Sequence, residues 1–99
     1  ARLGADFFIE IAAWPAIRIE HWLTLLRARA IENLAWVIGV TRTGREPRFE
    51  YCGRSVVVNP HGEIIADAGT EEKILRAEIF HSVAAEWREK FPALRDARW

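Results

Sequence analysis

The sequence predicts an α/β fold in one domain over residues 1–99, and three features of the chain predict it. Residues 6–13 and 35–41 are almost continuously apolar, and the first of these stretches is typical of a strand that is buried on both faces. Between them, residues 14–33 have the apolar spacing of a helix. A strand, a helix and a strand of these lengths form a βαβ unit. Glu10 interrupts the first strand, so its carboxylate needs a partner or a position beside a cleft.

The predicted helix carries a wide apolar stripe. Pro15 suits its first turn, where the missing backbone N–H is not needed. The stripe follows the spacing i, i+3, i+4, i+7 and i+11, with Ile19, Trp22, Leu23, Leu26 and Ala30. Leu25, Ala28 and Ile31 widen it. We therefore expect the helix to pack on the sheet and to contact a second surface on another side.

The rest of the chain predicts hairpin strands, an alternating strand and a final helix. Residues 43–48 have the composition of a polar loop. Residues 54–59 and 63–66 are predicted to pair as a hairpin, because an Asn-Pro-His-Gly turn joins them. Residues 73–79 alternate between apolar and polar, which indicates a half-buried strand. Ser82 is predicted to cap the last helix. Its apolar face is expected to hold Val83, Trp87 and Phe91.

The composition excludes several classes of partner. Because 14 Lys and Arg balance 14 Asp and Glu, no net charge favours nucleic acid or an anionic membrane. No apolar run reaches the roughly 18 residues that span a bilayer, and the first residues do not resemble a signal peptide. Cys52 is the single cysteine, so no internal disulfide can form. We expect a cytoplasmic protein. The chain contains no methionine, which we expect of a processed chain or a piece of a longer one.

Four sequence blocks follow one another in a recognisable order. They are Ala-Ala-Trp-Pro with the later Arg and His-Trp in residues 12–22, Arg-Ala-Arg-Ala-Ile-Glu-Asn in 27–33, Tyr-Cys-Gly-Arg-Ser through Asn-Pro-His-Gly-Glu in 51–63, and Arg-Glu-Lys-Phe-Pro-Ala in 88–93. Together they resemble the carbon–nitrogen hydrolases (the nitrilase superfamily), in the branch that includes the ω-amidases. The resemblance implies an αββα sandwich, of which this chain would supply the C-terminal half.

The same resemblance implies a cofactor-free chemistry. Members of the family hydrolyse C–N bonds through a thioester, with a Cys nucleophile, a Glu base, an oxyanion-stabilising Lys and a second Glu, all upstream of this segment. Lys73 and Lys90 lie in no motif that could place either against a nucleophile. We therefore expect no catalytic residue, cofactor or metal here, and no activity from the chain alone. The expected substrate of the full enzyme is a small linear amide, such as an ω-amide of a 2-oxo acid.

The resemblance also marks a substrate-pocket wall, for which we select Ala13, Trp14 and Arg18. Ala13 stands where the family usually has Asn, in the segment that faces the pocket. Trp14 follows a strand end, where α/β folds open their sites, although it could instead anchor the helix start in the core. The guanidinium of Arg18 suits a substrate carboxylate, and a surface or interface salt bridge is the alternative.

The apolar helix is also a candidate interface. Members of the family dimerise through helices around this region, so the resemblance implies a homo-oligomer. We assign His21, Trp22 and Leu25 to the contact. The position of His21 beside Trp22 on an apolar helix favours a structural histidine with satisfied hydrogen bonds over a catalytic base or a ligand.

Three further groups have structural explanations. Cys52 precedes a glycine and has no base nearby in sequence, so we interpret it as a loop or strand residue rather than a nucleophile. Glu32 lies three residues after Arg29, which favours an ion pair over a functional carboxylate. The histidines have no metal-ligand spacing: His21, His61 and His81.

Two hypotheses remain open. The chain is either the C-terminal part of an amidase-like hydrolase, or a non-catalytic truncated homologue that acts as an interaction or oligomerisation module. Half of a layered sandwich leaves one sheet face uncovered. Under either hypothesis we expect an oligomer, or an exposed apolar face with several of the five tryptophans poorly buried.

Overall fold

Two β-sheets and two α-helices form the part of the chain that the computed structural model describes, residues 7–90. The elements are β1 (Phe7–Ala12), α1 (Ile19–Asn33), β2 (Trp36–Thr41), β3 (Thr43–Arg45), β4 (Glu50–Cys52), β5 (Val56–Val58), β6 (Ile64–Asp67) and α2 (His81–Lys90). The larger sheet has the order β1-β2-β5-β6, and β3 pairs with β4 in a separate hairpin. This mixed arrangement confirms the predicted α/β class.

The predicted βαβ unit is confirmed. β1 and β2 are neighbours and run parallel, with Phe7 opposite Trp36 and Ala12 opposite Thr41. β5 and β6 continue the sheet in antiparallel fashion, as the predicted hairpin requires. Because β1 and β2 are parallel, their carboxyl ends lie at one edge of the sheet, together with the start of β5.

The helix begins later than its apolar pattern predicted. The backbone of Pro15 is extended, with ψ of 141°, and a 3₁₀ turn (Ala16–Arg18) separates it from α1. The Arg18 N–H donates to the Pro15 carbonyl at 3.0 Å and closes this turn. Leu34 ends α1 in the left-handed region, with φ of 49°, and its N–H bonds to carbonyls of the last helical turn.

The predicted stripe of α1 lies against the sheet. Leu26 and Ala30 are fully buried, and Ile19 is partly buried against the same cluster. The other buried members of the cluster are Trp22, Leu23, Val37, Val56 and Val58. Leu25 and Ile31 remain exposed, so the side of the helix that was expected to contact a second surface is uncovered in the described chain.

The prediction that the first strand is buried on both faces is wrong for the described chain. Phe8 and Ala12 pack towards α1, whereas Ile9 and Ile11 on the other face are 57% and 80% exposed. The second core cluster on that side centres on α2 and buries residues of β2 and β5 rather than β1: Trp36, Val57 and Ala84.

Two other element predictions are corrected. The expected polar loop at 43–48 contains β3, which continues through a turn into β4 as a hairpin. Residues 73–79 do not form a strand; no described strand pairs with them, and a strand needs such a partner for its backbone groups. The last helix begins at His81, so Ser82 lies within its first turn and does not cap it. The predicted contact of Phe91 lies outside the described residues.

The four described tryptophans are more buried than expected, since none of them is exposed. Trp22 and Trp36 are buried, Trp14 and Trp87 are half-buried, and the fifth lies outside the described residues. Within residues 7–90, neither helix combines the length and the apolar character needed to cross a bilayer.

Candidate functional site

An open depression of about 500 Å³ lies beyond the carboxyl end of β1. Its lining comes from the segment after β1, the 3₁₀ turn and the first two turns of α1: Trp14, Arg18, His21, Thr24 and Leu25. The carboxyl ends of parallel strands are the usual position for ligand sites in α/β folds. We call this depression the Trp14 pocket.

Trp14 is fixed within the pocket by both its backbone and its ring. Its backbone N–H donates to Thr41 Oγ1 at 3.2 Å, and its indole Nε1 donates to the Arg18 carbonyl at 2.6 Å. Its ring also lies against that of Trp22, with 5.4 Å between centroids and an interplanar angle of 37°. The indole is therefore an oriented aromatic wall rather than a freely rotating surface side chain.

Arg18 gives the pocket a positive charge. Its side chain is exposed, and among residues 7–90 its guanidinium forms no ion pair. It stands at the N-cap of α1, where the partial positive charge of the helix end adds to its own. Glu20 in the first turn offsets part of this field. An exposed guanidinium beside an aromatic wall can bind the carboxylate of a small ligand.

The structure brings most of the predicted site residues together. Trp14 and Arg18, predicted as pocket wall, share one lining with His21 and Leu25, predicted as interface. Ala13 is exposed beside Trp14 but outside that lining. Trp22 is only 4% exposed and lies in the core, because its ring packs between the sheet and Trp14. We therefore leave Trp22 out of any interface, and the other assignments stay predictions.

A second, polar cavity of about 330 Å³ lies at the same edge of the sheet, and sequence reasoning missed it. Its lining includes Thr41 and Ser55, and it is bordered by the ion pair between Arg54 and Asp67, whose closest atoms are 2.7 Å apart. Hydrogen bonding to Arg54 lowers the pKa of Asp67, and the same contact raises the pKa of Arg54. The Arg in the third sequence block was the available signal, but its partner is 13 residues away.

The hairpin beside this cavity has its own polar cluster. The hydroxyl of Tyr51 donates to Glu46 Oε1 at 2.9 Å, and this hydrogen bond is the largest cause of a raised pKa for Tyr51. The Arg42 guanidinium lies 4.5 Å from the Tyr51 ring centroid and 3.0 Å from the same Glu46 carboxylate. These contacts fasten β3 to β4 and give the hairpin a defined position.

The remaining candidates stay apart from the Trp14 pocket. Cys52 is half-buried, and within residues 7–90 its thiol has no hydrogen bond to a base. The expected pair of Arg29 with Glu32 is replaced: Arg29 lies 3.5 Å from Glu10, which is the partner that this strand carboxylate required. No group of three or more potential metal ligands occurs among the described residues.

Comparisons with known proteins all lead to one family. The model of the carbon–nitrogen hydrolase family matches residues 1–89. The chain is 43% identical over 95 residues to a 2-oxoglutaramate amidase of Bacillus subtilis (strain 168), covering 96% of this chain and 37% of that protein. It is 47% identical over 94 residues to an omega-amidase of Escherichia coli (strain K12), covering 93% of this chain and 37% of that protein.

Solved structures agree with the sequence matches. A CN-hydrolase superfamily protein from Xanthomonas campestris superposes with a TM-score of 0.91 at 37% identity, covering 95% of this chain and 36% of that one. This likeness confirms the predicted nitrilase-type α/β fold. The chain spans less than two fifths of the length of these relatives, at 37% for each of the two amidases.

Proposed function

Because the chain belongs to the carbon–nitrogen hydrolase family, we propose that it forms part of an enzyme that hydrolyses the C–N bond of a small linear amide. It is similar to an omega-amidase and a 2-oxoglutaramate amidase over nearly all of its own length. The chain would contribute one sheet layer and part of the pocket, while the nucleophile, base and lysine would come from outside it. In keeping with this division, Cys52 lies away from the Trp14 pocket.

The observation that carries the proposal is the Trp14 pocket itself. Trp14 supplies an apolar wall, and Arg18 supplies a cation that no described carboxylate neutralises. An ω-amide of a 2-oxo acid has a short carbon chain between an amide at one end and a carboxylate at the other. In this proposal the guanidinium binds the carboxylate, the indole covers the carbon chain, and the amide projects towards the catalytic groups.

The first test is the intact mass and N-terminal sequence of the native gene product, followed by an assay of ammonia release from amides. The complete product is expected to be active on a carboxylate-bearing ω-amide, and the 99-residue chain alone to be inactive. A complete product that releases no ammonia from any small amide would contradict the proposal.

The role of Arg18 is tested in the same complete product. Arg18→Gln is expected to raise KM for the carboxylate-bearing amide about ten- to hundredfold, the worth of one charged hydrogen-bonded contact. KM for an uncharged aliphatic amide is expected to stay within about twofold, and Arg18→Lys to lie between. Arg76→Gln, another exposed arginine, is the matched control. Equal effects on both substrates would show that Arg18 does not bind the carboxylate.

One observation favours the alternative, a non-catalytic interaction module. The uncovered apolar face of β1, with Phe7, Ile9 and Ile11, is of the kind that binds another protein layer. The mass measurement separates the two functions. A native product of about the length of this chain, without amidase activity, supports the module. In that case His21 and Leu25 are candidates for a homo-oligomer contact.

A further inference from the structure

A chain of hydrogen bonds joins the Trp14 pocket to two strands behind it. The Trp14 backbone N–H donates to Thr41 Oγ1 at 3.2 Å, at the end of β2. The Thr41 backbone N–H in turn donates to Ser55 Oγ at 3.0 Å, and that hydroxyl donates back to the Thr41 carbonyl at 3.2 Å. Two hydroxyl groups thus link the segment after β1 to the end of β2 and the start of β5.

Trp22, whose ring lies against that of Trp14, is held by Arg54, the residue before Ser55. The indole Nε1 of Trp22 donates to the Arg54 carbonyl at 3.0 Å. Trp14 and Trp22 therefore both depend on the corner formed by Arg54 and Ser55, one through its backbone and Thr41, the other through its ring. The rings of this pair lie 5.4 Å apart between centroids, at an interplanar angle of 37°.

The corner has an unusual backbone that the surrounding contacts hold in place. Arg54 has φ of 66°, a left-handed conformation that costs a non-glycine residue free energy, and Gly53 before it has φ of 79°. The Arg54 N–H donates to the Gly69 carbonyl at 2.8 Å, and its guanidinium makes two hydrogen bonds to Asp67 Oδ2, at 3.0 and 2.7 Å. These contacts hold the Arg54 carbonyl in the direction in which it accepts the hydrogen bond from the Trp22 indole.

We propose that Thr41 and Ser55 are positioning residues that set the substrate selectivity of the Trp14 pocket. Neither hydroxyl lines that pocket; both act through Trp14, whose position fixes how long a carbon chain the pocket accepts. The proposal rests on the proposed function in one respect, that the pocket receives the amide substrate. Its structural step, the placement of Trp14, stands apart from that function.

The structural step is tested by circular dichroism, because two indoles in close contact give an exciton couplet that depends on their separation and angle. Trp14→Phe in the 99-residue chain first identifies the couplet by abolishing it. Thr41→Val keeps the shape but removes the hydroxyl, and is expected to reduce the couplet at least twofold. Ser55→Ala is expected to act in the same direction. Thr41→Ser retains a hydroxyl and should preserve the signal.

Thr43→Val is the matched control, since Thr43 is half-buried in the next strand and has no side-chain hydrogen bond to Trp14. It is expected to leave the couplet unchanged. An unchanged couplet in Thr41→Val would overturn the proposal, whether or not the protein is an amidase. Unfolding curves for each variant distinguish a lost couplet from lost structure. A couplet that decreases equally in Thr43→Val and Thr41→Val would also overturn the proposal.

The selectivity step is tested in the complete gene product with two ω-amides that differ by one methylene. Thr41→Val is expected to change the ratio of their kcat/KM values at least fivefold, mainly through KM, with kcat for the better substrate within twofold. An unchanged ratio in an active variant would overturn the selectivity role. An inactive complete product would overturn both the proposed function and the selectivity role, while the couplet still decides whether Thr41 positions Trp14.

Discussion

The two faces of the four-stranded sheet differ in how far the described chain covers them. On the α1 face, Leu26, Val37 and Val56 are fully buried. On the opposite face, Ile9 and Ile11 of β1 are mostly exposed. Both faces carry branched aliphatic side chains, so the difference lies in what packs against them rather than in their composition.

This difference follows from the order of the elements. α1 connects β1 to β2, so the segment that joins the strands is also the one that covers them. The opposite face depends on α2, which buries Trp36 and Val57 and leaves β1 uncovered. A sheet with a bare apolar face requires another layer. The stability of this chain should therefore depend on the first face, and its association on the second.

The largest expected loss of stability is at the centre of the covered face. Leu26→Ala removes a fully buried side chain and should lower the free energy of unfolding by about 3 kcal/mol. Urea unfolding followed by far-UV circular dichroism measures this loss. Leu25→Ala, on the same helix but 44% exposed, is the control and should cost less than about 1 kcal/mol. Equal losses would contradict the assignment of the two sides of α1.

The next effect concerns the contact between the two helices. Arg88 on α2 donates from Nε to the Leu34 carbonyl at 2.9 Å and from Nη2 to the Asn33 carbonyl at 3.2 Å, at the end of α1. Arg88→Gln should cost about 1.5 kcal/mol, because charged hydrogen bonds to these carbonyls are lost. Hydrogen exchange should show faster opening of α2. Lys90→Gln, at an exposed position on α2, serves as control; similar exchange in both variants would refute the link.

A smaller effect should appear as a dependence on pH. The folded chain holds the pKa of Asp67 below its ordinary value, mainly through hydrogen bonding to Arg54. The stabilisation is therefore complete above the ordinary pKa of about 3.9 and is lost as the pH falls through the lower pKa of the folded chain. For this partly exposed pair we expect about 1 kcal/mol.

The comparison of Asp67→Asn with the parent chain measures that dependence. The difference in unfolding free energy between the two should be present at pH 7 and should shrink in acid below pH 4. Glu71→Gln, at an exposed position nearby, should show no such difference. A difference between Asp67→Asn and the parent that does not change with pH would contradict the ion-pair explanation.

Features of this fold that depend on local pattern could be predicted from the sequence. The spacing of Trp22, Leu26 and Ala30 determined which side of α1 is buried, and the apolar stretches on either side determined the parallel strands. Trp14 was selected because it directly follows a strand end, and it lines a depression there. In each case the signal and the structure lie within a few residues of one another.

Features that depend on distant partners could not be predicted. Residues 73–79 have the alternation of a strand, but alternation supplies no pairing strand, and none exists in the described chain. The polar sequence of the β3–β4 hairpin has the composition of a loop. The hairpin is held by polar contacts such as that of Tyr51 with Glu46, and it has no apolar face that a sequence pattern could show. The link from Trp14 through Thr41 to Ser55 joins the segment after β1 to the end of β2 and the residue before β5, and it has no local signature.

The smallest change in stability is expected on the uncovered face. It also gives the sharpest test of the difference between the two faces of the sheet. Ile9→Glu should alter the unfolding free energy of the chain by less than about 0.5 kcal/mol, since Ile9 is 57% exposed. It should nevertheless reduce self-association in sedimentation velocity, because a charge then interrupts the apolar face.

Phe8→Glu is the neighbouring variant on the α1 side of the same strand, where Phe8 packs against the main core cluster. It should destabilise the chain clearly more than Ile9→Glu, because a carboxylate would replace apolar contacts with the core. If Ile9→Glu proves as destabilising as Phe8→Glu, the second face is covered in solution by the chain or by a second copy of it. The stability of the fold would then depend on both faces, and the division of roles between them would be wrong.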